Sequence, residues 1–211
     1  MNVIETEIAD LIEISRFAGE RFDLVQAGGG NTSVKLDDGR IFVKASGMAL
    51  SEVASAADFC LLQWPSLLEF LSNCAADDST EVLEAQAKIA VAAALSPLSS
   101  SNRRPSIEAL LHCLLGKFTV HTHPIAVASL VCRSNWQQVV SDIFASSFPQ
   151  YQDALFMVPY KTPGPALAVA LQQQLKEKNW QPAMADKASI AIVFLENHGL
   201  IVAGANKQVV M

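Results

Sequence analysis

The chain contains no run of basic residues long enough to follow a phosphate backbone. Its 15 Lys and Arg are outnumbered by 21 Asp and Glu, for a net charge of -6. The densest basic spot is the pair Arg103-Arg104, enough for a small-anion contact, so nucleic acid is not an expected partner. The four cysteines, Cys60, Cys74, Cys113 and Cys132, form no CxxC pair. Their apolar surroundings read as reduced core thiols of a cytoplasmic protein. The longest apolar runs, near 89–95 and 189–195, are too short to span a bilayer and read as buried elements, so no membrane is expected. The opening MNVIETEIADLIEISRF is acidic and amphipathic and lacks the basic and apolar regions of a signal peptide. Internal repeats and low-complexity tracts are also missing.

What remains is 211 residues, 51% of them hydrophobic, with no linker to divide them. That is material for one sizeable core. Ile4, Ile8, Leu11 and Ile12 recur at helical spacing, which predicts a helix over 3–19. Segments 33–36 and 40–45 flank Asp37-Asp38-Gly39 and read as a β-hairpin. A loop over 46–53 opens a short helical turn, and 58–64 reads as a strand stopped by Pro65. Ser79 and Thr80 precede a capped helix over 81–95. A polar loop covers 96–105, and a helix over 106–116 ends at a glycine. A strand over 118–123 is closed by Pro124, with a helix over 125–131 after it. Later come a strand at 154–159, a loop at 159–165, a helix at 166–178, and strands at 189–195 and 200–202. The pattern is α/β with hairpins, so the sheet is at least partly antiparallel with helices packed on it.

The chemistry centres on FTVHTHP, 118–124. Residues i and i+2 of a strand share a face roughly 6–7 Å apart, so His121 and His123 can converge on one ion. Catalytic zinc sites use three protein ligands at about 2.0–2.1 Å and keep a position open. His198, in a turn between two apolar strands, is the natural third. The plainer reading is that the pair closes a strand and His198 fills a turn, and spacing alone does not choose between them. AGGGNTSVK, 27–35, is a glycine-rich stretch that can cradle an anion. It is neither a dinucleotide fingerprint nor a Walker A loop: a helix precedes it, a hairpin follows, and no Gly-Lys-Ser/Thr is present. Lys44-Ala45-Ser46-Gly47 is a second candidate anion loop. Pro105 and Ser106 suit a helix start. Glu108 there either complements the helix dipole or reaches the metal as a general base.

Together these segments resemble the class II aldolase/adducin family. The resemblance is carried by Gly-Gly-Asn-Thr-Ser at 29–33, Ala-Ser-Gly at 45–47, Pro-Ser-Ile-Glu…His at 105–112, Val-His-Thr-His-Pro at 120–124, Tyr-Lys-Thr-Pro-Gly at 160–164 and Glu-Asn-His-Gly at 196–199. They occur in family order and run from about residue 5 to 205. The resemblance implies a three-layer α/β/α fold around a mostly antiparallel central sheet, one domain over 1–211, and a cytoplasmic homotetramer. It makes His121, His123 and His198 ligands of Zn2+ or another divalent metal, and Glu108 the acid/base. Asn31, Ser46, Gly47 and Ser106 match positions that bind the substrate phosphate. The implied activity is a lyase: cleavage of a ketose 1-phosphate or related sugar to an aldehyde and dihydroxyacetone phosphate through a metal-stabilised enediolate. An epimerase or dehydratase on the same scaffold, or a non-catalytic adducin-like module, are the alternatives.

The sequence also departs from the fuculose-phosphate aldolase pattern. Ile107 stands where that pattern has a second serine, which removes one phosphate hydroxyl. Arg103 or Arg104 is the expected replacement contact. The interval from Glu108 to His121 is shorter. Arg-Arg-Pro-Ser at 103–106 resembles a subset of the family, some of it fused to dehydrogenase domains. Family members usually continue into a C-terminal helix and tail where this chain reaches Met211, so either a naturally shortened protein lacking the usual helix and tail or a piece of something longer is expected.

Overall fold

The computed structural model describes residues 3–75, 78–100, 102–182 and 190–211. The hairpin expected around Asp37-Asp38-Gly39 is β1 (Asn31–Lys35) and β2 (Arg40–Lys44). Gly39 turns the chain at φ 88°, a left-handed value that a side chain would resist. β3 (Phe59–Gln63), β4 (Phe118–Thr122), β5 (Leu155–Val158), β6 (Ala191–Leu195) and β7 (Gly199–Gly204) complete one seven-stranded sheet. Its spatial order is β3-β2-β1-β4-β7-β6-β5. All neighbours are antiparallel except β5 and β6, which run parallel because a helix carries the chain between them.

Strand alternation divides the apolar residues between two faces. On one, Ile41, Val43, Leu62, Val158, Val193 and Ile201 pack under four helices. These are α2 (Trp64–Asn73), α3 (Thr80–Ala94), α4 (Ala109–Leu114) and α7 (Pro165–Glu177). On the other face, Phe42, Phe59, Leu61, Phe118 and Val120 meet Leu11, Ile14 and Ala18 of α1 (Val3–Gly19). Leu155 and Phe194 meet α5 (Ile125–Val131) and α6 (Trp136–Ser147) there. This is the three-layer α/β/α arrangement expected from the sequence. None of the described helices is long and apolar enough to cross a membrane.

Several local expectations need correction. Pro65 does stop β3, but it also sits in the first turn of α2, a helix the sequence reading lacks. Proline suits both roles, because it has no N–H to donate to a ladder and its φ is set for a helix start. α6 is a second such helix. α4 begins only at Ala109, with Glu108 as its N-cap residue. Ser106 therefore does not cap it; its Oγ instead accepts from the Glu108 N–H at 3.3 Å, within the preceding turn. The 189–195 strand is described from Ala191 on, and Ser189 lies outside the described residues. Of the cysteines, Cys60 and Cys113 are buried, whereas Cys74 is intermediate and Cys132, just past the end of α5, is exposed. At the far end α8 (Lys207–Val210) starts with the Asn206 side chain accepting from Val209 N–H. Lys207 ties it to Asp10 of α1 at 2.7 Å.

The least anticipated feature is Lys35, fully buried on the α4 face. Its ammonium donates to the carbonyls of Cys113 and Leu115 at 2.7 and 2.6 Å. It also lies 4.7 Å from the centre of the Trp64 ring. Burial pushes its pKa down from 10.5 to about 8. Between those two values the unfolded chain binds the extra proton, so stability rises with pH across that window. We therefore expect wild type to gain about 2 kcal/mol on Lys35→Met between pH 7.5 and 10, read by urea unfolding. A constant difference would show an unperturbed lysine.

Candidate metal centre

β4 lies in the middle of the sheet, between β1 and β7. His121 pairs with Asn31 on one side and with Ile201 on the other, and so faces the α4 layer with Ile201. It is fully buried. Its Nδ1 lies 3.0 Å from the Leu200 carbonyl oxygen. A carbonyl can only accept, so Nδ1 carries a proton and Nε2 is the ring atom turned toward the other two histidines. That Nε2 lies 3.0 Å from His123 Nε2 and 3.2 Å from His198 Nε2.

His198 arrives from the loop joining β6 and β7. Asn197 takes φ 54° there, a left-handed value that Asn tolerates. His198 N–H donates to the Leu195 carbonyl. The donor atoms of the three histidines all lie within 4.8 Å of one another, an arrangement that could hold a metal ion. The donor set fits a divalent cation. Imidazole nitrogens at about 2.0–2.1 Å from a tetrahedral ion are about 3.3 Å apart, near the two short separations seen. The Nδ1–H to carbonyl bond is the usual support for a ligating imidazole.

Glu108 closes the cluster. Its Oε1 lies 3.3 Å from His121 Nε2 and 3.5 Å from His198 Nε2. Burial pushes its carboxyl up, but the neighbouring His121 imidazole and hydrogen bonds from His121 and His198 outweigh that and hold it well below the usual carboxylate range. Burial and the nearby His121 and His198 push His123 down to about 4. One turn along, His112 is fully buried and its Nδ1 meets Ser33 Oγ at 2.7 Å. Burial lowers its pKa to about 3, so it is neutral. It pins α4 to β1 and thereby fixes where Glu108 stands.

The candidate anion residues fall into two groups. Asn31 stands beside His121 in the ladder, 2% exposed, with its Oδ1 buried and unpartnered. Ser46 and Ser106 line a cavity together with Arg103 and Arg104. The 45–47 and 104–106 segments are joined by a bridge between Ala45 and Pro105 and by Ser46 N–H donating to the Arg104 carbonyl at 2.9 Å. That backbone donor is therefore already used. Gly47 takes φ 81°. Three further contributors lie in or beside the 196–199 motif, and of these only the Leu200 carbonyl has no sequence signal. The Leu200 carbonyl is one. Glu196, which accepts from Tyr160 N–H at 2.8 Å, is another. A third is Gly199, where a Cβ would collide with the Thr122 carbonyl oxygen and lie 2.8 Å from His123 Cδ2.

Residues 9–209 match the class II aldolase and adducin N-terminal domain. An uncharacterized oxidoreductase of Bacillus subtilis, YuxG, is 28% identical over 95% of this chain, but the chain spans only 27% of that relative's length. The N-terminal class II aldolase domain of a Thermoplasma acidophilum protein superposes with a TM-score of 0.75 at 24% identity, covering 100% of this chain and 89% of that one. A sugar-phosphate aldolase of Thermotoga maritima gives 0.68 at 15% identity, over 99% and 89%. At these identities the structural likeness speaks for the fold.

The crowding at Gly199 has a measurable consequence. Gly199→Ala must shift either the Thr122 backbone or the His123 ring, at a cost of about 1–3 kcal/mol. Gly28 has nothing within 4 Å of where a Cβ would sit, so Gly28→Ala should stay within about 0.5 kcal/mol. Urea unfolding of both variants makes the comparison, and equal stabilities would rule out the crowding.

Proposed function

The chain belongs to the class II aldolase and adducin family, and we propose that it is a zinc-dependent aldolase acting on a ketose 1-phosphate or a related sugar. The observation that carries this reading is the meeting of three imidazole Nε2 atoms with one partly buried, ionised carboxylate. His121, His123 and His198 would hold the metal. A divalent cation there supplies a Lewis acid for the negative charge that develops on substrate oxygens when a carbon–carbon bond breaks next to a carbonyl. Glu108 holds and moves the proton at the carbon left with the electron pair. The unpartnered Asn31 Oδ1 is an acceptor for a substrate hydroxyl or water. Ser46, Gly47 and Ser106 anchor a phosphate, and that remote binding aligns the reacting carbons. The products are an aldehyde and dihydroxyacetone phosphate. The proposal extends to one domain over 1–211 and to a cytoplasmic homotetramer.

Retention of all three histidines and of Glu108, brought together as described, favours an enzyme over a non-catalytic module. An epimerase or dehydratase would use the same metal and phosphate groups and differ in product. The oxidoreductase name belongs to a relative of which this chain matches about a quarter.

Untagged protein should carry about one zinc per chain by elemental analysis, and His198→Ala should lose it. Absence of metal after zinc supplementation would remove the basis of the proposal. A screen of ketose phosphates with zinc present should release an aldehyde; an epimer or a dehydrated product instead would select the alternative chemistry. Glu108→Gln should keep the metal and lose on the order of 100-fold or more in turnover. Unchanged turnover would take Glu108 out of the mechanism.

A further inference from the structure

The Tyr-Lys-Thr-Pro-Gly motif lies in the loop 159–164, which leaves β5 after Val158 and enters α7 at Pro165. Its two ends rest on the two elements that meet at the metal centre. At the near end Glu196, which opens the turn carrying His198, holds it twice. The Glu196 N–H donates to the Val158 carbonyl at 3.0 Å, and its Oε2 accepts from the Tyr160 N–H at 2.8 Å. At the far end Gly164 lies against Ile107, the residue before Glu108, where a Cβ would come within 3.0 Å of Ile107 Cδ1. Gly164 takes φ 118° and ψ -140°, a conformation that a side chain resists. Between the ends, Tyr160, Lys161, Thr162 and Pro163 are exposed. Among the described residues, Lys161, Thr162 and Pro163 make no hydrogen bond and no ion pair. The His198 turn is held differently. Its Glu196, Asn197 and His198 N–H groups donate to the carbonyls of Val158, Val131 and Leu195. None of those bonds needs the Glu196 side chain. The carboxylate therefore holds the loop, not the turn it comes from.

We propose that Glu196 is a positioning residue: its carboxylate latches the 159–164 loop as a strap beside the mouth of the metal centre, and release of the latch opens that mouth. His121 is fully buried. Solvent reaches the cluster past the side chains of His198 and Glu108, 13% and 15% exposed, and the strap runs from the neighbourhood of one to the neighbourhood of the other. With both ends held, so short a segment has little slack. Freeing Tyr160 lets it pivot on Gly164, where no side chain restricts the backbone. Segments of this kind control entry to a site and release from it. That the molecule admitted is a substrate rests on the aldolase-type reading; the latch itself does not.

Limited trypsin digestion of the full chain, read by mass spectrometry at the Lys161–Thr162 bond, tests the latch. Where reclosing outpaces cleavage, the rate follows the open population. Glu196→Ala should speed this cut about fivefold, the effect of losing one net hydrogen bond. Glu196→Gln keeps an acceptor and should stay within about twofold of wild type. The cut after Lys88, exposed on α3, reports general unfolding and should not change. An unchanged rate after Lys161, or an equal rise after Lys88, overturns the latch. Zinc-loaded protein tests the opening. Glu196→Ala should speed the stripping of zinc by dipicolinate about fivefold and leave the dissociation constant for zinc nearly unchanged, whereas loss of a support for a ligating histidine costs about 10–100-fold. A stripping rate equal to wild type, or a loss of affinity on that scale, overturns the proposal. If wild type takes up no zinc, the aldolase-type reading fails and the guarded opening falls with it, while the digestion still decides the latch.

Discussion

A column of buried polar side chains crosses the middle of an otherwise apolar sheet face, and the site depends on how it is satisfied. Strand parity sends Asn31, Ser33 and Lys35 of β1, and Thr119 and His121 of β4, to the side where Ile41, Val43 and Ile201 also point. Unpaired, such groups would cost several kcal/mol between them. α4 lies over the column and answers it. His112 meets Ser33, and the carbonyls of Cys113 and Leu115 receive the Lys35 ammonium. Those carbonyls belong to the helix end, where no intrahelical donor remains for them. A helix anchored at its far end by a lysine and in its middle by a histidine has little freedom at its start. Its start is Glu108.

The same economy of groups appears around the histidines. The Leu200 carbonyl that orients His121 is two residues from His198, so one loop delivers one imidazole and the strand after it orients another. Gly29 and Gly199 both crowd His123, and at either one a Cβ would press on its ring. The carboxylate beside these rings is kept ionised by them, although burial works against it. Low dielectric and fixed partners are the conditions under which a carboxylate can exchange protons with a substrate carbon without first reorganising solvent.

The side that carries the candidate anion residues is organised differently. The Ser46 and Ser106 loops are joined through backbone bonds, and one backbone donor is spent in the joining. Charge nearby comes from Arg103, Arg104 and Lys88. Beside the two serines, cations and apolar side chains line the place where Ile107 departs from the fuculose-phosphate aldolase pattern. The B. subtilis relative, nearly four times the matched length, places a domain of this kind inside a larger protein.

Much was legible in the sequence because it depends on near neighbours. The hairpin at Asp38-Gly39, the α1 stripe, the Ser79 cap and the two-residue spacing of His121 and His123 are local facts, read through periodicity and turn chemistry. The order of the short motifs pointed to the family, and through it to the α/β/α fold. Other features stayed hidden because they are set by groups far apart in the chain. Lys35 looks like an ordinary strand lysine until α4, some 80 residues later, covers it. α6 and α2 are helices because tertiary packing buries Trp136, Val140, Leu67 and Leu71. The tautomer of His121 depends on a carbonyl 79 residues away. Sequence by itself determined which residue types were present and on which local element each would lie. Only the tertiary structure decided that the three imidazoles and Glu108 meet, because the pairing of β4 with β7 and the docking of α4 on β1 are long-range contacts whose register a local pattern does not encode.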